Sequence, residues 1–136
     1  MWLHHATFRA NLKSIKSNGL VLPMHGDRMN FEGQVYVRGI YFSTDYNLCG
    51  SMLECADNVP DSIYNSGTVI LVVDSDSLDA SYFCRDINLI GEDNAKSIVY
   101  QKPVPSNLIG IIKDIYGNNK IYRLNEVLRV TKSFLY

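Results

Sequence analysis

The sequence predicts an α+β domain built on antiparallel sheets. Three observations carry that expectation. Many short β-forming segments recur along the chain, separated by turn residues. Helical patterning is confined to two stretches in the N-terminal half. The run Thr68-Val69-Ile70-Leu71-Val72-Val73 is nearly all apolar, which marks a strand buried on both faces.

Residues 2–7 read as a strand. Residues 8–18 read as a helix, with Leu12 and Ile15 on one face and Asn18-Gly19 as its stop signal. The stretch from Val21 to Val37 holds Pro23, Gly26 and Gly33 and reads as a long loop with room for a short strand. Residues 38–43 form a second strand. Ser43-Thr44-Asp45 is an N-cap signal for a helix over 45–56, with Leu48, Met52 and Leu53 inward. Asp57 to Gly67, with Pro60, Asp61 and Asn65, reads as loop. Strands follow at 68–73 and near 81–84, 97–101, 109–113 and 120–123. The ending, 126–136, is β-rich without a defined element.

A chain of 136 residues predicts one domain, 1–136, and its 46% hydrophobic content supplies a core. The charged fraction of 20% and the formal charge of -1 do not advertise nucleic acid. No apolar run reaches the length of a membrane span, and no signal-peptide pattern opens the chain. Cys49, Cys55 and Cys84 are an odd number at no metal or redox spacing, as expected of free thiols in the reducing cytoplasm.

Side chains on a strand alternate faces, so His5 and Thr7 share one face, and Gly39, Tyr41 and Ser43 share another. If those faces meet, His5, Thr7, Tyr41 and Ser43 line one cleft. Only one of the adjacent His4 and His5 can face it. The run Asp74-Ser75-Asp76-Ser77-Leu78-Asp79 lacks the glycine and closing glutamate of a calcium loop and reads as a turn. No phosphate-cradling glycine motif is present. His25 lacks further ligands at metal spacing, so no metal site is expected.

Taken together, Leu3-His4-His5-Ala6-Thr7, Ser17-Asn18-Gly19-Leu20 and Gly39-Ile40-Tyr41-Phe42-Ser43 resemble the NAD-binding half of the ADP-ribosyltransferase superfamily. Its poly(ADP-ribose) polymerase-type members carry a Leu-x-His-Gly-Ser/Thr strand, a helix ending in Ser-x-Gly-Leu, then a Gly-Ile-Tyr-Phe-Ala/Ser strand. Ala6 departs from the usual Gly. His5, Thr7, Asn11 and Leu12 are also similar to the His-x-Thr-x3-Asn-Leu pattern of the DNA-targeting toxin branch called DarT.

The resemblance implies a split antiparallel β-sandwich with two N-terminal-half helices. It implies NAD as co-substrate, bound by His5, Ala6, Thr7, Asn11, Gly39, Tyr41 and Ser43, with Tyr41 stacking on the nicotinamide. His5 and Tyr41 would be catalytic, clamping the leaving group while positive charge grows on the ribose. The family's later catalytic Glu falls here on Ser97, or on Lys96 with a one-residue shift. Three readings stay open. Glu92 or Asp93 supplies the carboxylate; the acceptor supplies the missing group; or NAD is bound and poorly transferred.

The implied function is a cytoplasmic mono-ADP-ribosyltransferase, a glycosyltransferase acting on a macromolecular acceptor, protein or nucleic acid, in the manner of toxins and phage effectors. The alternatives are a weakened NAD or ADP-ribose-binding module acting through a partner, and an RNA 2′-phosphotransferase-like enzyme.

Overall fold

A computed structural model describes residues 1–22, 38–54, 59–85, 96–115 and 117–136. Among these, seven strands form one antiparallel sheet: β1 (Trp2–Phe8), β2 (Ile40–Ser43), β3 (Thr68–Asp74), β4 (Phe83–Arg85), β5 (Ser97–Tyr100), β6 (Gly110–Ile115) and β7 (Asn118–Arg123). Their spatial order is β4-β5-β2-β1-β3-β6-β7. The α+β class expected from the sequence is therefore present. The predicted long loop lies almost wholly outside the described residues, as do Glu92 and Asp93.

The buried apolar run becomes β3, at the centre of the sheet. It pairs with β1 along the whole strand, from Trp2↔Asp74 to Phe8↔Thr68, and with β6 on its other side. Alternate β3 residues feed two cores. Val69, Leu71 and Val73 join Leu3, Phe42, Leu12, Ile15, Val104 and Leu124 on one face. Ile70 and Val72 join Ile112, with Ala6, Tyr46, Cys49 and Tyr136 packed against them, on the other.

Helix α1 (Leu12–Asn18) buries Leu12 and Ile15 on the first face. The expected helix over 8–18 is thus shorter. Phe8 completes β1, and Arg9–Asn11 is a 3-10 turn. Gly19 ends α1 at φ 73°, and any side chain there would strike the Val104 carbonyl. That contact is needed, because Leu20 and Val104 exchange two backbone bonds of 2.9 Å.

Helix α2 (Tyr46–Glu54) covers the second face, packing on β1, β2 and β3. Its row against the sheet runs through Tyr46, Cys49 and Gly50, which the sequence does not single out; of the residues expected inward, Leu48 and Leu53 are half-buried and the Met52 side chain lies outside what is described. The ring of Tyr136 fills the notch that Gly50 leaves, with its hydroxyl donating to Asn47 O at 3.2 Å.

Two more expectations need correction. The predicted loop 57–67 contains one helical turn, α3 (Asp61–Tyr64), started by Pro60. The β-rich ending makes 3-10 turns at Leu124–Glu126 and Lys132–Phe134 and a single Val69↔Leu135 bridge. Burial of Leu124, Val127, Val130 and Phe134 fixes that course. The acidic run folds as a turn: Asp74 accepts from Asp76 N–H at 3.1 Å and Asp79 from Ser81 N–H at 3.0 Å. Among the described residues no helix is long and apolar enough to cross a membrane.

Leu71 is fully buried where both pairings of β3 overlap. Truncation to Leu71→Ala should lower the unfolding free energy by about 2–5 kcal/mol in urea titrations. A loss below about 1 kcal/mol would show that this centre is not the core.

Candidate functional site

The site lies at the joint between β1 and β2. Ser75 N–H donates to Met1 O (2.9 Å) and Arg9 N–H to Gly67 O (2.8 Å), both in register with β1–β3. Antiparallel bonding alternates, so Leu3, His5 and Thr7 bond to β3. Trp2, His4, Ala6 and Phe8 therefore turn their N–H and C=O toward β2. On the facing strand, Thr44 N–H donates to Lys96 O (2.8 Å), in register with β2–β5. Tyr41 and Ser43 therefore turn their backbone groups toward β1.

These two edges nevertheless pair only at His4↔Ser43. Continuing that register would set Ala6 against Tyr41. Instead the His5 ring reaches across, with Nδ1 2.9 Å from Tyr41 O. His4 makes the matching contact, Nδ1 to Ser43 O at 3.0 Å. A carbonyl only accepts, so both Nδ1 atoms carry hydrogen and donate. Each neutral ring then keeps Nε2 as its acceptor. His5 thus bonds a carbonyl that a regular ladder would have used, and among the described residues no strand residue pairs with the Ala6 edge beside it.

The expected single cleft needs correction, because the residues divide between the two faces. His5 packs edge-on against Phe42 (5.8 Å between centroids), on the side of the first core. Thr7 is on that side too, 6% exposed, and its hydroxyl accepts from Asn11 Nδ2 at 3.3 Å. Tyr41 and Ser43 share the opposite face with His4, as the His4↔Ser43 register requires. Ser97 is on this second face, directly opposite Ser43. What joins the two groups is the His5–Tyr41 O bond and the Ala6 backbone at the joint. Gly39 is a packing residue: a Cβ there would strike Val99 and come within 2.9 Å of Tyr100 O.

The second face holds side chains that the sequence did not single out. His4 meets Tyr46 edge-on at 6.3 Å. Cys49 projects from α2 onto the Ala6 backbone. Burial pushes its thiol up to about 12, only partly opposed by a backbone bond from Ala6. A backbone bond that favours the thiolate must be the N–H, so Ala6 aims its amide at the Cys49 sulfur. The 46/49/50 spacing on a helix was a readable signal for this row.

Ser43 is 5% exposed, and its hydroxyl accepts from Asp45 N–H at 2.9 Å. Asp45 caps α2, accepting from Asn47 N–H (2.9 Å) and Leu48 N–H (3.0 Å), and pairs with Lys96 Nζ at 3.4 Å. The backbone bond from Leu48 leads the effects that hold its carboxyl below the usual range. Lys96, one of the two residues at the expected Glu position, therefore anchors β5 to α2. Ser97 donates to Phe42 O at 3.4 Å. A separate open groove of about 430 Å³, lined by Trp2, Asp74, Asn107 and Arg123 among others, touches none of the predicted site residues.

Two outcomes are expected. Iodoacetamide at about pH 8 should leave Cys49 unlabelled in the folded protein and label it after denaturation, read by peptide mass spectrometry. Rapid native labelling would contradict the buried thiol. Asp45→Ala should lower Tm near neutral pH. A depressed folded pKa gives stability above the ordinary carboxylate range that is lost as pH falls through it. The Tm difference should therefore close in acid; a difference that persists there would contradict the charge-based account.

Set against models of protein families, curated proteins and solved protein structures, the chain finds no match.

Proposed function

We propose that the β1–β2 joint is a carboxamide-binding cleft for NAD, and that the protein is an NAD-dependent mono-ADP-ribosyltransferase acting on a macromolecular acceptor. The observation that carries this reading is the Ala6 edge. Ala6 turns one N–H and one C=O toward β2, where the ladder has stopped after His4↔Ser43. A primary carboxamide offers one acceptor and two donors, the complement of that pair. The Cys49 thiol is a weak partner for the Ala6 N–H and yields readily to a better acceptor.

Nicotinamide carries such a carboxamide on a flat ring. Tyr41 supplies an aromatic side chain from the strand across the joint. His5 braces the joint through Tyr41 O, on the side where the ribose would lie. Thr7 and Asn11, tied to each other, stand on the His5 side for the remaining part of the dinucleotide. Holding the nicotinamide while its bond to ribose lengthens supplies positioning. The thin joint also favours the split form of the sheet that the resemblance implies.

One observation favours the second reading, a module that binds NAD without efficient transfer. Among the described residues β5 brings no carboxylate to this face; Lys96 is engaged with Asp45 and Ser97 with Phe42 O. Loss of such an electrostatic group typically costs about 10²–10³ in rate.

Calorimetry with NAD and a nicotinamide-release assay, on the natural chain and Tyr41→Ala, separate these readings. The natural chain is expected to bind NAD and release nicotinamide, and Tyr41→Ala to release it at least about 10-fold more slowly while keeping its circular dichroism. Binding without release selects the module. No binding, or equal release by both chains, overturns the cleft.

A further inference from the structure

We infer that two copies of this chain pair edge to edge through β7, antiparallel, about a two-fold axis at Ile121. β7 ends the sheet, all six of its residues are exposed, and its outer edge has no strand beside it among the described residues. The parity of its backbone is fixed. Leu124 N–H donates to Ile109 O at 3.0 Å, one step beyond the Gly110↔Arg123 register. Tyr122, Lys120 and Asn118 therefore bond to β6, and Asn119, Ile121 and Arg123 direct their N–H and C=O outward.

Three outward residues allow one centred antiparallel register. Ile121 meets Ile121 of the partner subunit, and Asn119 meets Arg123 of the partner subunit on either side. Each such pair exchanges two backbone bonds, so the edge forms six and all the outward groups are used. The side chains suit this arrangement. Ile121, 42% exposed, is covered by its own copy at the axis. Lys120 falls opposite Tyr122 of the partner subunit, a ring 38% exposed that also has Lys113 Nζ of its own chain 5.8 Å from its centroid. Asp114 stands beside Asn119 on the same face, so its carboxylate is within the span of the guanidinium of Arg123 of the partner subunit.

No two cations stand directly opposite each other across the axis; Lys120 and Lys113 of the partner subunit meet only about the Tyr122 ring. An edge lysine ordinarily guards a strand against promiscuous pairing. Here it discourages an apolar or basic strand and accepts this chain's own Tyr122. Such an interface is isologous and closes at two copies. The β1–β2 joint lies two strands inward of β6, so the pairing leaves it open and is independent of the NAD reading.

Sedimentation velocity from about 5 to about 300 μM tests the inference, since a strand-only interface sits at the weak end of the range. The natural chain should shift from monomer toward dimer as concentration rises. Ile121→Lys, which sets two cations at the axis, should stay monomeric throughout. Ile121→Pro should also stay monomeric; it removes an outward N–H and leaves the bonds to β6 intact. Circular dichroism identical to the natural chain would show that both variants fold. A natural chain that is monomeric throughout, or variants that dimerise like it, would overturn the inference.

Discussion

The hydrogen bond from His5 Nδ1 to Tyr41 O, 2.9 Å long, is the contact on which the site's geometry depends. It spends a strand carbonyl on a side chain. The ring stands where a continued register would set Ala6 against Tyr41, and the ladder carries no pair there. His4 gives a like bond to Ser43 O at 3.0 Å, at the one position where the two strands pair. The two histidines together make the joint narrow enough to hold and too irregular to zip. Beside them the Ala6 N–H, with no strand partner among the described residues, turns to the Cys49 sulfur.

The rest of the molecule keeps that joint in place from both sides. β1 cannot move toward β2 to close it, because β1 is bonded to β3 along its whole length and β3 is buried on both faces. β2 is held by β5 behind it and by α2, whose start is fixed by the Asp45 cap and the Lys96–Asp45 pair. That pair is partly exposed and contributes little alone. Its value is geometric, since it ties the β5 end to the helix over Ala6. The Tyr136 ring, seated against Gly50, holds α2 down from the other side. Opposed constraints of this kind hold β1 and β2 apart at Ala6 without collapse.

Much of the architecture was legible because it follows from local rules. The Val-rich run could only be a central strand, and Asn18-Gly19 could only end a helix whose next residue meets Val104. The Ser43-Thr44-Asp45 signal gave the start of α2, with Asp45 as the cap. Illegible parts depended on distant partners. Alternation alone told which of His5, Thr7, Tyr41 and Ser43 share a face within a strand, but not how the two strands face each other. That depends on the His4↔Ser43 register, which is set 39 residues apart by a ring nitrogen. The Tyr46, Cys49 and Gly50 row of α2 was not legible because tyrosine, cysteine and glycine weigh little in an apolar pattern. The ending adopted 3-10 turns because four buried side chains override its β propensity.

The central claim is that His5 donates from Nδ1 to the Tyr41 carbonyl at the position where the β1–β2 ladder ends. Long-range ¹H–¹⁵N NMR of the imidazole rings reads the tautomer directly. The expected result for the neutral ring is His5 with hydrogen on Nδ1 and none on Nε2, and the same pattern in Tyr41→Ala, which keeps the backbone carbonyl. A His5 ring protonated on Nε2 alone would contradict it, since Nδ1 would then have no hydrogen to give to a carbonyl and the joint would need another cause.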